Sequence, residues 1–120
     1  MKIAVSSTGP TLDSAIDARF GRAPMFLVID TATGDFEALE NTQNLQAAQG
    51  AGIQSARLVS ETGAEAVITG HCGPKAFQTL TAAGIKVIVG VDGTVKEAVE
   101  KYKGGELKPT NNPDVQGHWV

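Results

Sequence analysis

The chain has 120 residues, enough to bury one hydrophobic core but not two. Its formal charge of −3 argues against a nucleic-acid or anionic-membrane partner, since either calls for a concentrated basic face. With one cysteine it forms no internal disulfide and lacks the usual thiolate set for an iron–sulfur cluster, so any metal centre brings most of its own ligands.

Lys2 to Val5 reads as a short apolar strand ending in the polar Ser6-Ser7-Thr8-Gly9-Pro10. The start lacks the basic, apolar and small-residue sections of a signal peptide, and no apolar run approaches the ~20 residues that cross a bilayer. The expectation is a soluble cytoplasmic protein. From Gly9 to Pro24 the chain is polar, with scattered Leu12, Ile16 and Phe20. A connection of that length is more often functional than filler. Met25-Phe-Leu-Val-Ile29 is apolar on both faces, as in a central strand. Turn chemistry follows at Asp30-Thr-Ala-Thr-Gly-Asp35, and Phe36 to Glu40 returns as a third strand, giving a hairpin. Asn41 to Gln49 is amide-rich and reads as loop.

A helix is predicted from Gly50 or Ala51 to about Thr62, with Ile53, Ala56 and Val59 or Ser60 inward and Gly63 as its stop. Ala66 to Thr69 is a fourth, buried strand, and Gly70 to Gly73 turn the chain. Pro74 opens a helix to about Ala83, and Ile85 to Val91 is a fifth strand. Thr94-Val-Lys-Glu97 has capping-box spacing ahead of a helix bearing Val95, Ala98, Val99 and Tyr102 on one face. Gly104-Gly105 ends it. The division expected is a folded domain over residues 1–108 and a flexible tail over 109–120.

This order predicts an α/β fold, a single five-stranded mixed sheet flanked by three helices. The strand order expected is 3-2-1-4-5 with strand two antiparallel, as in ribonuclease H-like folds. In open sheets of this kind ligands sit outside the carboxyl ends of the strands. The loop after strand one and the turn after strand four both lie at such ends. With strands one and four adjacent, the two stretches face each other across one crevice.

The first candidate stretch is Gly70-His-Cys-Gly-Pro-Lys75. The unpartnered N–H groups and positive dipole end of a helix opened by Pro74 face this turn. Cys72 beside Lys75 reads either as a nucleophile or soft-metal ligand, or as a small buried residue. His71 reads as a metal ligand or as a surface turn histidine. The second stretch is Asp17-Ala-Arg-Phe-Gly-Arg-Ala-Pro24, where Arg19 and Arg22 suit an anion lying against exposed backbone. Alternatively both are solvated charges pairing with Asp13 and Asp17. The turn is not a P-loop, and the first strand lacks the carboxylate that a two-metal nuclease needs. His118-Trp119 reads as a crevice lid or as a loose end.

At these residues the chain resembles the dinitrogenase iron–molybdenum cofactor biosynthesis family, whose members bind or carry metal–sulfur cofactors. The likeness runs through Met1-Lys-Ile-Ala-Val5, Phe20-Gly-Arg-Ala-Pro24, Gly70 to Phe77, Ala83-Gly-Ile-Lys-Val87 and Gly93 to Ala98. The Gly-His-Cys-Gly-Pro version is most similar to the orange-protein branch, associated with a molybdenum–copper sulfide cluster in anaerobic bacteria. Many relatives carry histidine where this chain has Arg19, and others in the stretch holding Gln46 and Gln49. Those departures weigh against histidine coordination of an iron–molybdenum cofactor and leave a cationic, amide-lined crevice.

The resemblance implies a non-catalytic carrier for a preformed anionic cluster, molybdenum–copper sulfide or a related molybdenum or iron–sulfur species. Arg19, Arg22 and Lys75 would supply charge, and Phe20 and Met25 apolar walls. Gly21, Gly70, Gly73 and Pro74 would bring backbone close, and Cys72 and His71 would make any direct metal bond. Protein partners in a cofactor-assembly or cell-division complex are also implied; nucleic acid and membrane are not. Two other readings stand beside it. One is an enzyme using Cys72 as thiolate nucleophile with His71 as base. The other is a metal-independent interaction module docking through residues 7–24.

Overall fold

The computed structural model describes residues 1–41 and 50–110. The amide-rich 42–49 stretch, with Gln46 and Gln49, and residues 111–120, with His118 and Trp119, lie outside the described residues. The elements are β1 (Lys2–Ser7), a 3-10 turn (Phe20–Arg22), β2 (Met25–Asp30), β3 (Phe36–Glu40), α1 (Ala51–Ser60), β4 (Ala66–Ile68), α2 (Pro74–Ala82), β5 (Lys86–Ile88) and α3 (Val95–Lys103).

The five strands form one mixed sheet in the order β3-β2-β1-β4-β5, as the pattern predicts. β2 is antiparallel to both neighbours, with Val5 opposite Leu27 and Leu27 opposite Ala38. β1, β4 and β5 run parallel, with Ala4 opposite Val67 and Val67 opposite Val87. β1 is longer than predicted. Ser6 and Ser7 pair with Phe26 and Met25, because both serines are buried and their hydroxyls find partners. β5 is shorter than the apolar run from Ile85 to Val91. Past Ile88 the chain leaves the regular ladder, and the Gly90 N–H donates to the Gly70 carbonyl at 2.8 Å.

Strand alternation sends successive side chains to opposite faces. One face carries Ala4, Phe26, Val28, Val67 and Val87, packed against Ala56 and Val59 of α1 and Ala76 and Leu80 of α2. The other carries Ile3, Val5, Leu27, Ile29, Ile68 and Ile88, covered by Val95, Ala98 and Val99 of α3 and by Ile16. Burying such aliphatic side chains contributes about 1.5–3 kcal/mol each. The sheet is therefore the middle of three layers. After Leu107, which packs on the α3 side, the Thr110 N–H donates to the Val87 carbonyl at 2.8 Å. The chain up to that point thus lies against the sheet edge. Among the described residues no helix is long and apolar enough to cross a membrane.

Because β1, β3, β4 and β5 point the same way, the connections leaving them emerge at one end of the sheet. Helices α2 and α3 begin there, directly after β4 and β5. The loop from β1 to β2 lies there too.

Candidate functional site

Ser6, at the end of β1, ties the long loop to the sheet. Its Oγ is 2.8 Å from both the Asp17 carbonyl oxygen and Thr69 Oγ1, and its own carbonyl accepts the Asp17 N–H at 2.9 Å. The loop then turns towards α3. The Ile16 N–H donates to Gly93 O, while the Val95 and Lys96 N–H groups donate to Ser14 O and Leu12 O. The start of α3 is satisfied further by the predicted box: Glu97 N–H donates to Thr94 Oγ1 at 3.1 Å, and Thr94 N–H to Glu97 Oε1 at 2.9 Å. The backbone and hydroxyl of Thr94 hold the Glu97 carboxyl below its usual range.

Past Asp17 the two candidate stretches meet. The Asp17 carboxylate accepts the Arg19 N–H at 3.0 Å, which shapes the turn rather than pairing with a guanidinium. Arg19 and His71 form a parallel β-bridge, and the Phe20 N–H donates to the His71 carbonyl at 3.1 Å. Alongside, Ala18 backbone lies directly on Gly70. A Cβ built at Gly70 would sit 2.7 Å from Ala18 O and 2.8 Å from Ala18 Cα, so a glycine is required there for contact. The long loop and the turn after β4 are one continuous surface.

The side chains divide between that surface and the core. Arg19 and Lys75 are exposed; Arg22, Met25, His71 and Pro74 are half-buried. Among the described residues no carboxylate lies within 4.0 Å of the Arg19 or Lys75 charge. Phe20, expected as a wall of the crevice, is instead fully buried, its ring 5.1 Å from that of Phe26. Cys72 is also fully buried, packed in the same layer as Phe20 and Ala76, with its Sγ 3.7 Å from Gly73 O. Gly21, Gly70 and Gly73 are buried and contribute backbone. Of the two predicted metal ligands, Cys72 is buried and His71 half-buried.

Helix α2 begins with Pro74 at its first position and Gly73 as N-cap, with no side-chain capping hydrogen bond. This contrasts with the fully capped α3 and leaves the dipole of α2 facing the Arg19–His71 seam. Among the described residues no group of three or more His, Cys, Asp or Glu side chains is placed to hold a metal ion. A shallow depression lined by Lys2, Val28, Asp30, Asp35, Phe36 and Glu37 opens at the far end of the sheet. Its carboxylates do not suit an anion.

A family model described as dinitrogenase iron-molybdenum cofactor matches residues 1–105. The chain belongs to that family. Within known structures it is similar to the apo form of the orange protein from Desulfovibrio gigas, 42% identical with a TM-score of 0.93, covering 95% of this chain and 96% of that one. It is also similar to the NMR structure of a candidate NifB protein from Thermotoga placed in the DUF35 family. That likeness is 35% identity with a TM-score of 0.82, over 97% and 98% of the two chains. An uncharacterized protein of Methanocaldococcus jannaschii is 29% identical over 111 residues, 90% of each chain. The family resemblance and strand order read from the residues therefore hold.

Sequence reasoning missed two buried polar contacts: Ser6 with Thr69 at the end of β1, and Asn41 with Ser55 beside the 21–24 main chain. Hydroxyls closing an apolar strand are the one signal that marks the first pair. Nothing in the linear pattern marks the second.

Proposed function

We propose that the protein is a non-catalytic binder and carrier of a preformed, anionic molybdenum-containing metal–sulfur cluster, held at the Arg19–His71 seam. Family membership supports the cargo class. The observation that supports this site is the backbone union of Arg19 and Phe20 with His71, which joins the exposed Arg19 to the stretch leading into α2, whose second residue is the exposed Lys75. Sulfides of the cluster complete the coordination of its own metals, so the protein supplies charge and shape. Arg22 and Met25, both half-buried, follow in the same stretch, and His71 is the side chain we assign to any direct metal bond. Cys72 packs beneath and offers no exposed sulfur to a substrate, so the enzymatic reading gains no support from the fold. A molybdenum–copper sulfide core, as the orange-protein resemblance implies, in the cytoplasm of an anaerobe, is the specific form proposed.

The test is to add tetrathiomolybdate and copper to the protein, desalt, and measure retained metal and visible charge-transfer absorption. Wild type retains both metals, and raising salt lowers retention because exposed charges are screened. Replacing Arg19 and Lys75 together by Gln removes about 0.7–1 kcal/mol each, a ten- to thirty-fold weakening. Absence of retained metal, or retention indifferent to both salt and the double substitution, refutes the proposal.

A further inference from the structure

Asn41, which follows β3, and Ser55 of α1 are fully buried polar residues that meet in the interior. Asn41 Nδ2 donates to Ser55 Oγ at 3.0 Å, and Ser55 Oγ lies 3.2 Å from Asn41 Oδ1. Both also reach one short stretch of main chain. Asn41 Nδ2 donates to the Ala23 carbonyl at 2.8 Å, Ser55 Oγ lies 3.5 Å from the Gly21 carbonyl, and the Asn41 N–H donates to the Pro24 carbonyl at 2.8 Å. The Gly21 and Ala23 carbonyls bracket Arg22 on its two sides. Ala51 and Gly52, in the first turn of α1 ahead of Ser55, are buried as well.

A pair of apolar residues of similar volume would fill the same space at little net cost, since burying an amide and a hydroxyl gains only what their hydrogen bonds return. What an apolar pair does not do is bond to carbonyls. The turn from Phe20 to Arg22 is a single 3-10 turn, a geometry with weak internal hydrogen bonding. Its own bond, Arg22 N–H to Arg19 O, is 3.2 Å.

We propose that Asn41 and Ser55 are positioning residues that clamp the backbone on both sides of Arg22 and thereby fix that arginine at the edge of the seam. The role of Arg22 in holding cargo rests on the proposed function; the clamp itself does not. Neither residue touches the cargo. Both act through the turn.

The experiment compares wild type, Asn41→Ala and the milder Ser55→Ala by hydrogen exchange and by cargo retention. In both variants the Arg22 amide exchanges at least tenfold faster, while the Ile68 amide in β4 changes only as global stability does. Arg22 exchange that merely tracks Ile68 overturns the clamp. For cargo, Ser55→Ala lowers retention of the copper–tetrathiomolybdate product about three- to tenfold in the wild-type background and not at all in an Arg22→Ala background. An equal loss in both backgrounds overturns positioning through Arg22. A wild-type protein that retains no cargo sinks the functional reading instead, and the exchange result still decides the clamp.

Discussion

Gly70→Ala tests whether the two stretches are held together by main-chain contact. The added Cβ would lie 2.7 Å from Ala18 O, 2.8 Å from Ala18 Cα and 3.1 Å from Ala18 C, all backbone atoms. Comfortable separation is about 3.5 Å, so the loop must retreat by roughly half to one ångström. That movement stretches the Phe20 N–H to His71 carbonyl bond, now 3.1 Å, out of hydrogen-bonding range. Overpacking costs about 1–3 kcal/mol and the lost bond about 1 kcal/mol, for a total near 2–4 kcal/mol. At this chain length that lowers Tm by roughly 6–20 °C. Gly9→Ala is the matched control. Its Cβ also meets an atom at 2.7 Å, but that atom is Ser14 Oγ, the end of a side chain rather than backbone, and turning it aside gives up only its exposed contacts with the Thr11 N–H at 3.2 Å and Thr11 Oγ1 at 3.3 Å. Its cost is within about 1 kcal/mol, offset in part by the reduced freedom of the unfolded chain. Urea unfolding measures both, and exchange of the Phe20 amide reports whether the seam has opened. A Gly70→Ala protein as stable as wild type, with an unchanged Phe20 amide, would refute the reasoning. So would a Gly9→Ala cost equal to that of Gly70→Ala.

Two further outcomes concern groups outside the seam. Tyr102 donates its hydroxyl to Glu65 Oε1 at 2.8 Å, and burial followed by that carboxylate pushes its pKa up to about 12. The folded state therefore holds the phenol proton more tightly than the unfolded chain, whose value is near 10. The stabilisation is complete below pH 10 and is lost as pH rises to about 12, so the Tm advantage of wild type over Tyr102→Phe shrinks across that window. A difference constant through it removes the linkage. At the start of α3, Thr94→Ala costs about 1 kcal/mol by urea unfolding. Because Thr94 holds the Glu97 carboxyl below its usual value of 4.5, the box stabilises above that pH and fades as acid protonates Glu97. The gap between wild type and Thr94→Ala should therefore narrow on acidification, and a gap that widens contradicts the assignment.

Most of the architecture was legible because it rests on local chemistry. Continuous apolar runs marked β2 as central and β4 as buried, Asp30 to Asp35 marked the hairpin, and Thr94 with Glu97 marked a helix start. Adjacency of β1 and β4 followed from the element order and placed Arg19 near His71. Side-chain direction at the turn was not legible. Cys72 stands just before the helix cap, where chemistry alone makes it conspicuous, yet the chain there aims it into the layer of Phe20 and Leu80. Phe20, between two arginines, was likewise expected as an apolar wall of the crevice and is instead fully buried against Phe26. Ser6 with Thr69, and Asn41 with Ser55, act through backbone carbonyls brought near by tertiary folding, and no spacing rule announces such pairs.

The bonds that join Arg19 and Phe20 to His71 run from main chain to main chain, and Gly70 meets Ala18 by backbone as well. The frame is thus indifferent to which side chains stand at 19 and 71. Substitutions at 19 and 71 that keep the backbone path therefore leave the junction itself intact, so the exposed chemistry of this end of the sheet is separable from the folding of the domain.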